Sequence, residues 1–108
     1  MNQSAINTVS VSPIELVIGD KVRHHGALME VMHIVVTETP EDAEGVRVAA
    51  CISRLVGDDM GAIPRGWFDT RESMLARGCG EWARDLPADG LYWNVQGNAR
   101  ARVAKLVE

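Results

Sequence analysis

One hairpin constrains this chain more than any other feature. Gly19 to Val36 reads GDKVRHHGALMEVMHIVV, a tight turn running into a long apolar strand. A two-residue loop at His25-Gly26 pairs His24 with Ala27, Arg23 with Leu28, Val22 with Met29 and Lys21 with Glu30. Gly takes a positive φ freely, and His is enriched there among the other residues. The register sets Val22 and Met29 on one face and the opposite charges of Lys21 and Glu30 on the other. From Val31 onward both faces turn apolar, through Ile34, Val35 and Val36. A strand half-exposed at one end and buried on both sides at the other belongs to a curled sheet.

The remaining segments supply further strands. Ile14, Leu16 and Ile18 alternate ahead of Gly19-Asp20, and Val46, Val48, Ala50 and Ile52 alternate with Arg47, Ala49, Cys51 and Ser53. The second run predicts a strand whose apolar face takes the even positions. Leu91, Trp93 and Val95 open a closing hairpin. A two-residue loop at Gly97-Asn98 would place Trp93 with Arg100 and Arg102. A three-residue loop, Gln96-Gly97-Asn98, pairs Val95 with Ala99, Trp93 with Ala101 and Leu91 with Val103, gathering the apolar residues on one face. Burial favours that choice, because a one-residue slip moves every side chain across the sheet. It leaves Tyr92, Asn94, Arg100 and Arg102 outward.

Between these strands, Gly57-Asp58-Asp59-Met60-Gly61 reads as a loop. Pro64 and Gly66 forbid a regular helix, while Ile63, Trp67 and Phe68 are apolar enough to plug an open barrel end. Asp69 resembles an N-cap with Glu72 three residues on, and Thr70 to Arg77 can form two turns closed by Gly78. The expectation is a mainly β fold, a small antiparallel SH3-like barrel or β-roll with one short helix in a late insertion. Residues 1–13, rich in Ser, Asn and Gln, are expected to be a flexible arm in which Val9 and Val11 can add an edge strand, and residues 14–108 a single small β-barrel domain.

At 108 residues the chain can bury a core without staples. Its net charge of −4 gives no general attraction to nucleic-acid phosphate. The two cysteines, Cys51 and Cys79, have no metal-ligand spacing and suggest free thiols in a reducing compartment. With no signal peptide and no apolar run of membrane-spanning length, the expected location is cytoplasmic, without a membrane partner.

The stretches GDKVRHHGALMEV, Ile63-Pro64 before Trp67, and WNVQGNARARVAK together resemble small uncharacterised β-barrel proteins encoded on phages and plasmids. Those proteins pair a GD-V-hydrophobic opening with a closing W-x-V-QGN hairpin. The opening is also similar to the first strands of KOW and SH3-like modules. The resemblance covers about half the chain; it implies a compact β-domain in a mobile-element setting and supplies no catalytic residues.

Chemistry is mostly excluded. His24 and His33 share a face but lie roughly 20 Å apart along the strand, and His24 and His25 point to opposite faces of a regular turn, so no metal and no cofactor is expected. Cys51 sits mid-strand and Cys79 between glycines, with no helix N-terminus to activate either. No Gly-rich phosphate loop is present. A non-enzymatic macromolecule-binding module is the expectation, with another protein as partner: a regulator or inhibitor of a host complex such as a defence nuclease. Three tryptophans, two in irregular segments, and exposed arginines are the usual anchors of such interfaces. The candidate binding residues are Tyr92, Asn94, Arg100 and Arg102 on one strand face, and Arg65 and Trp67 in the 64–68 segment. The acidic stretch Glu38 to Glu44 reads as a solvated turn or a docking site. The alternative is a single-stranded nucleic-acid-binding small barrel, with Tyr92 stacking beside the arginines.

Overall fold

The computed structural model describes residues 7–39 and 46–107. Six strands form one antiparallel sheet: β1 (Thr8–Val11), β2 (Lys21–His24), β3 (Ala27–Thr39), β4 (Val46–Leu55), β5 (Tyr92–Gly97) and β6 (Val103–Leu106). Their order across the sheet is β1-β6-β2-β3-β4-β5. One helix, α1 (Arg71–Ala76), and three 3₁₀ turns at Pro13–Glu15, Arg65–Trp67 and Glu81–Asp85 complete it.

The central hairpin follows the register that its sequence dictates, with all four pairs from Lys21–Glu30 to His24–Ala27 in place. His25 and Gly26 take φ of 51° and 83°, both positive as a two-residue hairpin loop requires. The loop after β4 docks on this turn. Ala62 N–H donates to the His25 carbonyl at 2.9 Å and Leu28 N–H to the Asp59 carbonyl at 3.0 Å. Arg23 clasps the same loop through the Asp59 carboxylate at 2.6 Å. Backbone approaches backbone so closely here that a Cβ on Gly61 would lie 2.2 Å from the Gly26 carbonyl carbon.

β3 does not run regularly. Its pairing with β4 shifts between Val31 and His33, leaving Met32 as an extra residue in a β-bulge. Before the bulge Met29 and Val31 face the main core; after it Ile34 does, while Met32 packs on the opposite side. The expected burial on both faces therefore stops early: Val35 is 39% and Val36 52% exposed.

The sheet curls around a core made by Leu16, Val22, Met29, Val31, Cys51, Leu55, Ile63, Phe68, Val95 and Val103. A second, smaller core lies on the convex face, where Ile52 and Tyr92 meet Met74 of α1 and Ala83 and Leu86 of the late 3₁₀ turn. This reverses the expected phase of β4. Ala49, Cys51, Ser53 and Leu55, the odd positions, line the main core, and even-numbered Ile52 serves the second. The apolar even positions were misleading because both faces of β4 are covered.

Two further expectations are corrected. No ladder among the described residues joins the outer strands β1 and β5, so the sheet is not closed into a barrel. Nor do β5 and β6 form a hairpin: β5 pairs with β4, whereas β6 pairs with β1 and β2. Trp93 and Val95 do face the main core, but their partners are Ser53 and Cys51 rather than Ala101 and Ala99. Residues 98–102 carry the chain between opposite sides of the curl. Val9 and Val11 do supply an edge strand, and the sheet extends across the boundary expected at residue 13, with Ser12 and Pro13 buried.

α1 starts one residue later than its sequence suggests. Thr70 is the cap: its hydroxyl accepts from Ser73 N–H at 3.1 Å, and Ser73 Oγ accepts from Thr70 N–H at 3.0 Å. Asp69 instead holds Arg77, at 2.6 and 3.2 Å. Gly78, at φ 74°, ends the helix.

Both cysteines are free thiols, Cys51 buried and Cys79 exposed. Burial, with a smaller contribution from the Asp20 charge, pushes the Cys51 thiol up to about 11. In the native protein a thiol reagent at mildly alkaline pH should titrate one cysteine quickly, and the second only after denaturant is added. Because the folded state holds the Cys51 proton more tightly, its contribution to stability is complete below about pH 9 and is lost as pH rises toward 11. Gly61→Ala forces both a positive φ and a backbone collision. It should destabilise the fold by about 2–4 kcal/mol in a urea titration.

Candidate functional site

The proposed binding residues do not form one surface. Tyr92 is buried, 1% exposed, on the convex face, where its hydroxyl donates to the Pro87 carbonyl at 2.6 Å. Burial raises its phenol pKa above the ordinary value. Asn94 is exposed on β5 and its amide donates to Gln96 Oε1 at 2.7 Å. Arg100 is exposed in the link after β5, and Arg102 is exposed just before β6. Thus Tyr92 cannot stack beside the arginines, and Asn94 sits on a strand that does not pair with β6. The expected face depended on the β5–β6 hairpin and dissolves with it.

In the 64–68 segment, the 3₁₀ turn holds Arg65 and Trp67 outward, Trp67 at 69% exposure, while Ile63 and Phe68 anchor both flanks in the main core. Its neighbour in that anchor is Trp93, whose ring meets Phe68 edge-on at 5.7 Å. Of the acidic stretch, Glu38 is described and pairs with Arg47 at 3.2 Å. Residues 40–44 of that stretch lie outside the described residues.

A groove that the sequence reading missed lies on the convex face. It has a volume of about 250 Å³ and is walled by Val35, Ile52, Met74, Trp82, Tyr92 and Asn94, with Asp69, Arg77 and Cys79 at its polar rim. Trp82 forms one wall because its indole stacks on His33, with centroids 4.3 Å apart and planes 13° from parallel. That stack exists because the bulge at Met32 turns His33 toward the convex side. Asp69 holds the Arg77 guanidinium protonated well above its ordinary range, so the rim is a closed ion pair rather than a free charge.

The groove adjoins an unpaired strand edge. β5 is the last strand of the sheet, and among the described residues its outer side is taken only at Tyr92, which exchanges two backbone hydrogen bonds with Asp69 at 2.8 and 2.9 Å. In an antiparallel strand alternate residues present their N–H and C=O to the same side. The next two outward residues are therefore Asn94 and Gln96, and among the described residues neither has a backbone partner there.

At the other end of the sheet the two imidazoles come together, against expectation. The left-handed φ of His25 folds its ring to within 4.2 Å of His24. Partial burial, and secondarily the His25 charge, lower the pKa of His24. No cluster of three or more His, Cys, Asp or Glu side chains able to hold a metal is present among the described residues. No helix among them is long and apolar enough to cross a membrane.

No protein-family model, curated protein or solved structure matches the chain. Function is therefore argued from these surfaces alone.

Of the signals missed, the aromatic wall had one visible trace: Trp82 is a large apolar residue in an irregular, otherwise polar stretch. Tyr92→Phe tests the corrected placement. It should cost about 1–2 kcal/mol in a denaturant titration, since it strips the Pro87 carbonyl of its donor in a buried setting. A surface tyrosine would give a change within about half a kcal/mol.

Proposed function

We propose that this chain is a non-enzymatic protein-binding module that takes an extended segment of its partner along the outer edge of β5. One observation carries the reading: an unpaired edge and an apolar groove lie side by side. Strand addition needs both, the edge for main-chain hydrogen bonds and pockets for alternate side chains. The edge is already used this way within the fold, where Asp69 pairs with Tyr92. A partner segment would continue that ladder along Asn94 and Gln96, laying an apolar or aromatic side chain against Trp82 and Val35. The exposed Trp67 is a second anchor of the type that interfaces favour.

A mobile-element setting and the inhibition of a host complex, such as a defence nuclease, extend this reading to the partner's identity. The chain's net charge of −4 supports a basic partner surface. Two free thiols support a cytoplasmic location. The SH3-like designation is likewise part of the proposal, supported by the short link between β5 and β6 and by the β6-β2-β3-β4-β5 order. The single-stranded nucleic-acid reading loses its stacking platform, since Tyr92 is inside.

Selection from a displayed peptide library should yield segments of alternating apolar residues. Asn94→Pro should weaken their binding at least about tenfold, because it removes an outward N–H at an edge where proline is otherwise tolerated. Bound peptide should slow hydrogen exchange at the amides of Asn94 and Gln96. Selected peptides that bind the Asn94→Pro variant unchanged would overturn the proposed edge.

A further inference from the structure

The opposite end of the sheet carries a cleft of about 360 Å³ between β1, β6 and the tip of the central hairpin. Its floor follows from register. Ser10 pairs with Ala104, and Ala104 pairs with Arg23, so these three stand in one row across three strands on one face. The middle member is alanine, a single methyl group between a hydroxyl and a guanidinium, which leaves a trough. Thr8, level with Leu106, and Arg102 extend the same face in opposite directions from this row. The paired imidazoles of His24 and His25 close one end.

The lining is chemically one-sided. Two arginines, two histidines and the hydroxyl-bearing Thr8 and Ser10 line the cleft, and among the described residues no carboxylate lines it. Arg23 is fixed in place by Asp59 at 2.6 Å and the Gly26 carbonyl at 3.0 Å, both from one guanidinium nitrogen, so its other N–H groups stay available. Arg102 is less committed. Its contact with Glu15 is long, 3.7 Å, between side chains each more than half exposed, and such a pair holds little. Glu15 has a better partner in the Ser12 N–H at 2.9 Å, the main cause of its lowered pKa.

We infer that this cleft is a binding site for a phosphate-type oxyanion, held between Arg102 and Arg23 with the Ser10 hydroxyl completing its coordination. Planar guanidinium groups and hydroxyls are the donors that such anions take. The anion is supplied either by a small phosphorylated molecule or by a nucleic-acid backbone; the chemistry is shared.

The test is a backbone-amide NMR titration with inorganic sulfate, then with inorganic phosphate and a short single-stranded oligonucleotide. Saturating shifts are expected at Ser10, Arg23 and Ala104. Ala104→Leu, which fills the trough, should abolish them. Arg102→Ala, a surface change that spares the fold, should weaken sulfate about fivefold or more. Arg84→Ala should leave them unchanged. An oligonucleotide that binds more tightly than phosphate, with a steep salt dependence, identifies the nucleic-acid source; phosphate binding without that gain identifies the small-molecule source. Absence of saturable shifts with all three probes, or undiminished binding in Arg102→Ala, overturns the proposal.

Discussion

The single extra residue at Met32 decides what this sheet can carry. A strand has two faces and a period of two, so without interruption β3 would send every second residue to the main core along its whole length. The bulge resets the count. Val31 ends the first inward set, Ile34 begins the next, and Met32 and His33 go together to the convex side. That surplus of side chains is what Trp82 stacks on and what the second core packs against. Bulges also sharpen twist, which suits a strand that must curl around one core while supplying another.

The second core gives the irregular insertion between β4 and β5 its order. α1 has only six residues and would not persist alone in water. Its buried Met74 and the Tyr92 hydroxyl, which reaches the Pro87 carbonyl, tie helix, turn and strand together. The same arrangement exposes what it does not cover. The insertion reaches β5 through the Asp69–Tyr92 bridge and then turns away into the helix, leaving the rest of the edge unpaired. An open edge without charge or proline is ordinarily a liability that proteins blunt. Its retention beside an apolar groove is the physical reason for assigning the edge a partner.

Much of this was legible in sequence, and the failures share a cause. The hairpin at His25-Gly26 was readable because turn chemistry, charge pairing and burial agree on one register. The two-turn helix was readable from its cap and closing Gly78, although Asp69 was drawn away by Arg77 and by pairing with Tyr92. β4 misled because both of its faces are apolar, so alternation carried no phase. The closing strands misled for a deeper reason. Leu91 to Val103 satisfies a hairpin register locally, and nothing local announces that β6 is needed between β1 and β2. The groove and the cleft depend on non-local pairings, so neither shows in the order of residues. Ala104 illustrates this: it matters only because it stands between Ser10 and Arg23.

The two candidate surfaces lie at opposite ends of the strand order, the groove at β5 and the cleft across β1, β6 and β2. The curl brings them closer than that order suggests. The ring of His25, at the tip that borders the cleft, lies 6.3 Å by centroid from that of Trp93 on β5, which lines the groove. β3 is a second link: it leaves the His25-Gly26 turn beside the cleft, and its bulge shapes the groove through His33, on which Trp82 stacks. A ligand that displaced the paired imidazoles would therefore act on an aromatic neighbour in β5 as well as on the strand that sets the Trp82 wall.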